Sequence, residues 1–316
     1  MTGKSGNAEH HSIRRAALIA LPALLLGLAL TFAVSWALHR SLRAESLAHF
    51  EGAVKRLEYD VQRRINQAQY GLRGLAATYA ALGRLDTEQF SEWVGTRKLP
   101  TEFPGVRGFG MVRRIERQDV PAFEARVQQR DPHFEVRTSG SASDLYVVTQ
   151  IEPRSANAAA YGYDLGQETL RRNALELAVR TGGMVLSSRI SLIQDEEGRA
   201  GWLMFQPVYR KGEDVASPTA RKRALVGLLY APIVAADVLA DVRNTFGPEL
   251  DFRLYDGAVE EGRLLFDAAD PQRQGISTEV RGGWEGRQLH TERAIRIGGR
   301  DLTLDIAGRP ELEAGA

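Results

Sequence analysis

The chain has 316 residues, enough for a membrane anchor plus one large or two small domains. Lys and Arg total 41 against 40 Asp and Glu, and a balance of +1 gives no sign of the basic face that nucleic acid requires. Cysteine is absent, which removes disulfides, thiolate catalysis and Cys-ligated zinc or iron–sulfur sites.

Residues 1–15 read as a short cytoplasmic tail. From Ala16 to Leu38 there are 23 residues without a charge, long enough to cross the hydrocarbon layer as a helix. The run exceeds the apolar region of a secretory signal and passes into a helical pattern, so residues 16–38 are expected to be an uncleaved transmembrane helix. A cleaved signal is the alternative, and it sends the rest of the chain to the same compartment. Lys4, Arg14 and Arg15 favour a cytoplasmic N-terminus, against Arg40 and Arg43 on the far side. The soluble region is then periplasmic, on the outer face of the inner membrane.

Residues 39–85 have the pattern of a coiled-coil-like stalk helix. Apolar or small residues recur at Leu47, Phe50, Val54, Leu57 and Val61, then at Ile65, Ala68, Leu72, Leu75, Tyr79 and Leu82. Steps of three and four alternate, apart from a stutter between Val61 and Ile65. Two readings stay open: a homodimer seam that carries a signal to the membrane, or a stripe that packs on its own domain.

Residues 86–222 read as a first sheet unit, membrane-distal. A short helix over Thr87–Val94 starts at Asp86 or Thr87. A strand over Val106–Ile115, a helix over Asp119–Arg130 and strands over Phe134–Arg137 and Leu145–Ile151 follow. A helix over Gly166–Thr181 stops at Gly182–Gly183. Strands come next at Met184–Ser188, Arg189–Gln194 and Trp202–Tyr209, and Lys211–Lys222 closes the unit as a surface loop. Residues 223–310 read as a second, membrane-proximal unit, opened by a strand over Ala224–Ala231 and a helix over Pro232–Arg243 with Pro232 in its first turn. Its further strands are predicted at Asp251–Tyr255, Leu264–Asp267, Ile276–Val280, and Leu289–Ile297 paired with Asp301–Ala307. Residues 311–316 are a tail toward a second, unseen transmembrane helix. The class is α+β, with two PAS-like antiparallel units after a long helix.

Within the first unit, Gly162-Tyr163-Asp164 makes a corner between a strand end and an amphipathic helix. A carboxylate on the rim of an apolar cavity selects strongly for ligands with donors, because an unpaired buried charge is costly. Leu186, Trp202, Met204, Phe205 and Tyr230 supply apolar walls for it, with Met184 beside them; Tyr161 and Tyr163 flank the corner, and Tyr163 and Ser188 are further candidate ligand contacts. Asp164 also stands where a helix N-cap belongs, with Gln167 three residues on in a capping-box pattern, so ligand contact and capping both remain open. Asn157 suits a turn or a ligand contact, Arg171-Arg172 a solvated helix face, and Arg189 a place near the pocket where it would select an anion. No catalytic residue is assigned: His49, His133 and His290 are widely separated, and no Gly-x-Ser-x-Gly elbow, His-Glu-x-x-His helix or phosphate loop is present. No cofactor and no metal site are expected.

From Phe103 to Ala231 the chain also resembles the CHASE family, the extracytoplasmic sensory domain of bacterial receptors and plant cytokinin receptors. The resemblance rests on Phe103-Pro104-Gly105-Val106-Arg107-Gly108, Glu152-Pro153 with Asn157, Gly162-Tyr163-Asp164, Arg171-Arg172 with Ala174-Leu175, Thr181-Gly182, Leu186-Ser187, Ile190-Ser191-Leu192, Gln206-Pro207-Val208-Tyr209 and Tyr230-Ala231-Pro232. It implies two PAS-like units on a long helix, with Asp164 similar to an aspartate that receives hydrogen bonds from an adenine-type ligand and Leu186 similar to a pocket leucine. It also implies a receptor ending in a histidine kinase or a diguanylate cyclase. The partners expected are therefore a small amphiphilic ligand (a cytokinin-like adenine or a small anion), the inner membrane and a second copy of the chain. The competing reading is a membrane-anchored periplasmic scaffold or protein-interaction domain with no small-molecule ligand.

Overall fold

The computed structural model describes residues 6–195, 197–270, 284 and 286–314, without the side chains of residues 6–25, 261 and 314. It divides into two units, one of residues 1–52 with 310–316 and one of residues 53–309. Elements in chain order are α1 (Gly6–Leu82), α2 (Thr87–Gly95), α3 (Leu99–Glu102), β1 (Phe109–Glu116), α4 (Val120–Gln128), β2 (Asp144–Glu152), α5 (Thr169–Thr181), β3 (Val185–Leu186), β4 (Ile190–Ser191) and β5 (Ala200–Tyr209). They continue with α6 (Pro218–Ala224), β6 (Leu225–Val234), α7 (Ala235–Phe246), β7 (Leu250–Tyr255), β8 (Leu264–Asp267), β9 (His290–Ile297), β10 (Arg300–Gly308) and α8 (Pro310–Ala314).

In the smaller unit, the first part of α1 carries Leu26, Leu28, Leu30, Phe32, Val34, Trp36 and Leu38, all exposed. Among the described residues no helix is long and apolar enough to cross a membrane. The expected span 16–38 falls partly, over residues 16–25, on side chains outside the description.

The larger unit contains two antiparallel sheets. The first has the order β2-β1-β6-β5-β3, with β4 also paired to β5; the second has the order β8-β7-β10-β9. The rest of α1 packs on this unit, with Gly71 against Phe109 of the first sheet and Arg64 paired with Asp241 of α7 at 3.2 Å. Val54, Leu57, Val61, Ile65, Ala68, Leu72, Leu75 and Tyr79 are all buried within the single chain, so over this length the apolar stripe packs on its own domain. Gly71 marks the crossing: a Cβ there would come within 2.4 Å of the Phe109 ring, so the missing side chain is what lets β1 approach the helix. Leu47 and Leu82 at the ends of the stripe are exposed.

Several elements follow the pattern closely. α2 has Asp86 as N-cap with Gln89 completing a capping box, α5 ends on Gly182 at φ 73°, and β9 and β10 turn through Gly298–Gly299. Others differ for identifiable reasons. The span Phe134–Arg137 forms a single bridge, Arg137 to Tyr163, rather than a strand. Lys211–Lys222, expected as loop, includes the start of α6, whose first turn is capped by the Ser217 hydroxyl and carries Pro218 where proline is tolerated. The largest difference concerns β6. Expected to open the second unit, it lies between β1 and β5 at the centre of the first sheet, paired from Gly201↔Val234 to Tyr209↔Leu225. Pro232, expected in the first turn of the next helix, sits within that strand opposite Leu203, and α7 starts only at Ala235. The predicted strand Ile276–Val280 lies outside the described residues.

Candidate ligand-binding site

The Gly162–Asp164 corner is built by backbone pairing. Gly162 has φ 79°, and a Cβ there would sit 2.1 Å from the Glu135 carbonyl, so only glycine fits. Gly162 N–H donates to Val148 O at 2.9 Å, Val148 N–H to Tyr163 O at 3.0 Å, and Asp164 N–H to Arg137 O at 3.0 Å. These bonds turn the Asp164 side chain inward, where it is 1% exposed.

Its carboxylate is fully engaged by the protein. Oδ1 accepts from Tyr146 N–H and Gly166 N–H, each at 2.8 Å, and Oδ2 accepts from the Thr138 hydroxyl at 2.9 Å. The side chain thus joins β2, the 137–138 segment and the short 3₁₀ turn Leu165–Gln167. It does not cap α5. That helix begins at Thr169, three residues later than expected, because the 3₁₀ turn intervenes, and Glu168 caps it by accepting from Leu170 N–H. Gln167 instead accepts from Ser139 N–H and its hydroxyl at 2.6 and 2.8 Å.

The predicted apolar wall is divided between the two faces of the first sheet. Side chains alternate along a strand, and directly paired residues share a face. β5 pairs Trp202 with Ile233, Met204 with Ala231 and Phe205 with Tyr230, while Leu186 pairs with Met204. Leu186, Trp202 and Met204 therefore lie on the same face as Phe109, which packs on α1. Phe205 and Tyr230 point the other way, their rings stacked with centroids 6.2 Å apart. Tyr163 and Ser188 are half-buried, the latter with its carbonyl accepting from the Ser187 hydroxyl at 2.8 Å.

On the Phe205–Tyr230 face, beside α5, a cavity of about 10 Å³ is lined by Leu165, Arg171, Leu192, Gln194, Leu203 and Tyr230, among others. That is room for one water. Gly110 seats the tyrosine, since a Cβ there would come within 2.3 Å of its ring. The Tyr230 hydroxyl is buried without a partner, and burial holds its pKa above the ordinary phenol value. Arg171, expected on a solvated face, is 7% exposed. It precedes Ala174 and Leu175 by one turn, so the helical periodicity that marks the buried face of α5 also marks this arginine. Its neighbour Arg172 is half-buried, paired with Asp144 at 3.0 Å and Glu176 at 3.1 Å and donating to the Gly166 and Asp144 carbonyls. Asn157 is wholly buried and structural: its amide donates to Arg107 O and Pro153 O, and its Oδ1 accepts from Gln194.

Arg189 does not stand free for an anion. Its N–H donates to Asp256 Oδ2 at 2.8 Å and its Nε to Leu264 O at 2.7 Å, and burial lowers its pKa. Among the described residues no group of His, Cys, Asp and Glu is placed to hold a metal ion.

The CHASE domain family matches residues 83–266, more than half of the chain. The chain belongs to the CHASE family. The CHASE segment runs from the end of α1 to β8, contains both the Asp164 corner and the cavity, and makes this region an extracytoplasmic sensory domain. No curated protein matches the chain. Solved structures similar to it include the periplasmic sensory domain of the Campylobacter jejuni chemoreceptor Tlp1, at 9% identity, covering 84% of this chain and 94% of that one with a TM-score of 0.49. The sensory domain of C. jejuni Tlp3 with isoleucine bound has 9% identity, coverages of 86% and 96%, and a TM-score of 0.46. The ligand-binding domain of the Pseudomonas aeruginosa PAO1 amino acid chemoreceptor PctC in complex with GABA has 14% identity, coverages of 78% and 94%, and a TM-score of 0.42.

Proposed function

We propose that this CHASE domain is the sensor region of a bacterial transmembrane receptor, anchored in the inner membrane by residues 16–38 with its soluble part in the periplasm. A small ligand binds on the α5 face of the first sheet, and the event passes down the helical stalk of a homodimer to a histidine kinase or diguanylate cyclase. The two sheets would be PAS-like units, the first distal to the membrane. The observation that carries the reading is the CHASE match over residues 83–266, which spans the cavity and its buried donors.

Phe205 and Tyr230 belong to the recognising face, joined by Leu203 and Arg171, while Asp164 sets the corner behind them. Leu186, Trp202 and Met204 support the sheet from its α1 side, and Tyr163 and Ser188 border the region. Ligand binding acts by favouring one of two states of this assembly, and only to the extent that the ligand prefers that state. The small size of the cavity favours the second reading, a periplasmic scaffold without a ligand, if it never opens.

Thermal unfolding of the whole chain in non-ionic detergent separates the two. Under the sensor reading, one compound among adenines, amino acids and carboxylates raises the midpoint in a concentration-dependent way, by about 2.7 kcal/mol at a hundredfold excess over Kd. Leu203→Trp, which fills the cavity, abolishes that rise. A panel with no effect on the wild-type chain leaves the scaffold reading standing.

A further inference from the structure

We infer that the cavity beside α5 is a site for one internal water, which ties the start of that helix to β6 at the centre of the first sheet. The inference stands apart from the sensor reading, since it concerns what fills this face when no ligand is bound. Tyr230 and Arg171 both line the space. The Tyr230 hydroxyl, in a residue 1% exposed, and Arg171 Nε are each buried without a hydrogen bond. A third such atom is Glu168 Oε2, which lies 3.4 Å from Nε, near enough to pair in charge but not placed for a hydrogen bond. Both charged side chains are held at their other ends: Arg171 Nη2 donates to Ser191 O at 2.7 Å, and Glu168 Oε1 accepts from Leu170 N–H at 3.1 Å. Burial holds the Tyr230 phenol above its ordinary pKa and the charge of Arg171 opposes this, so hydroxyl and guanidinium are within electrostatic reach of each other.

A donor, an acceptor and a hydroxyl that can act as either define the occupant. Each is costly to bury unpaired. A water accepts from Arg171 Nε–H and from the Tyr230 O–H and donates to Glu168 Oε2, which makes the three bonds typical of an internal water. The volume of about 10 Å³ admits one molecule of that size. An ion does not suit the place, because the charges of Arg171 and Glu168 already offset each other and nothing would balance a third. Leu165, Leu192 and Leu203 form an apolar wall, so the water is held from the polar side. Arg171 and Glu168 belong to the first turn of α5 and its cap, and Tyr230 belongs to β6. The bridge therefore joins the helix start to the central strand, and a molecule entering this face must displace it.

The test pairs a high-resolution crystal structure of the whole chain, grown from non-ionic detergent, with thermal unfolding of Tyr230→Phe. The crystal is expected to show one water within about 3.2 Å of Tyr230 Oη, Arg171 Nε and Glu168 Oε2. With the hydroxyl serving the bridge, Tyr230→Phe lowers the unfolding midpoint by about 2–4 °C, because the water loses one of its three partners. Removal of a hydroxyl that bonds to nothing would instead leave the midpoint unchanged or raise it. The inference falls if the space shows no water, if the water there touches neither Tyr230 nor Arg171, or if Tyr230→Phe melts at or above the wild-type midpoint.

Discussion

Asp164 shows how a residue chosen for recognition is absorbed by the fold. Its position at a Gly-Tyr-Asp corner was readable, because glycine before an acidic residue at a strand end signals a turn. What it bonds to was not, since the Thr138 hydroxyl and Tyr146 N–H reach it through pairing of distant segments. Asp164→Ala is expected to destabilise the chain by about 2–4 kcal/mol, because it orphans several buried donors at once. Calorimetry or urea unfolding of the ligand-free protein measures this, and an unchanged midpoint would show the carboxylate to be free for ligand. Asp144 contributes to stability in acid, as Asp131 and Asp195 do. Burial pushes its pKa up, but the hydrogen bond and charge of Arg172, together with Arg114 at 2.5 Å, outweigh that and hold it below the ordinary value. A depressed carboxylate contributes stability that is present above its unfolded value, about 3.9, and lost as pH falls through the folded one. The unfolding midpoint should therefore drop on acidification below about pH 4, and Asp144→Asn should flatten that drop while lowering stability at neutral pH.

Among the elements, α1 was the most legible and the least decided. Its alternating three- and four-residue spacing predicts a helix with one apolar stripe, and a stripe of that width serves a partner helix or a sheet equally well. Burial of Leu57, Val61, Ile65 and Leu72 within the single chain assigns this length to its own domain. Leu72→Ala is expected to cost about 2–5 kcal/mol, whereas Leu47→Ala, at an exposed end of the stripe, should stay within about 0.5 kcal/mol. Equal effects at the two positions in denaturant unfolding would contradict that assignment. Short strands were harder. β3 and β4 have two residues each, and their flanks are apolar enough to predict strands of five or six. The chain leaves the sheet early because Arg189 is held by the second sheet, while Ser187 still bonds β5 but with its hydroxyl, not its carbonyl, accepting from Leu203 N–H.

Across the larger unit, that same β3–β4 corner fastens one sheet to the other. Leu186 N–H donates to Gly298 O at 3.0 Å, and Asp256, 5% exposed, receives both Arg189 N–H and the Arg300 guanidinium. Arg189 thus serves as a fastener, although its position beside Leu186 made an anion contact a reasonable expectation. Asp256→Ala is expected to lower stability by about 2–3 kcal/mol, since it leaves a partly buried arginine and a backbone donor unpaired. Hydrogen exchange should show the added opening at the β9–β10 turn as well as around Arg189, and opening confined to one sheet would refute the fastening. The order helix, mixed unit, antiparallel unit was readable from periodicity and turn residues. The assignment of β6 to the first sheet was not, because an apolar strand entering a helix looks alike whether its neighbours come before or after it in the chain.

The central position of β6 has a practical corollary for anyone dividing this protein. A fragment that ends at residue 222 looks complete by composition, yet it would lack the strand that β1 and β5 both pair with. Two half-sheets would then be left with raw edges, the state in which β proteins aggregate. Grafts onto another receptor should instead be joined beyond α7, where the first sheet has received all its strands.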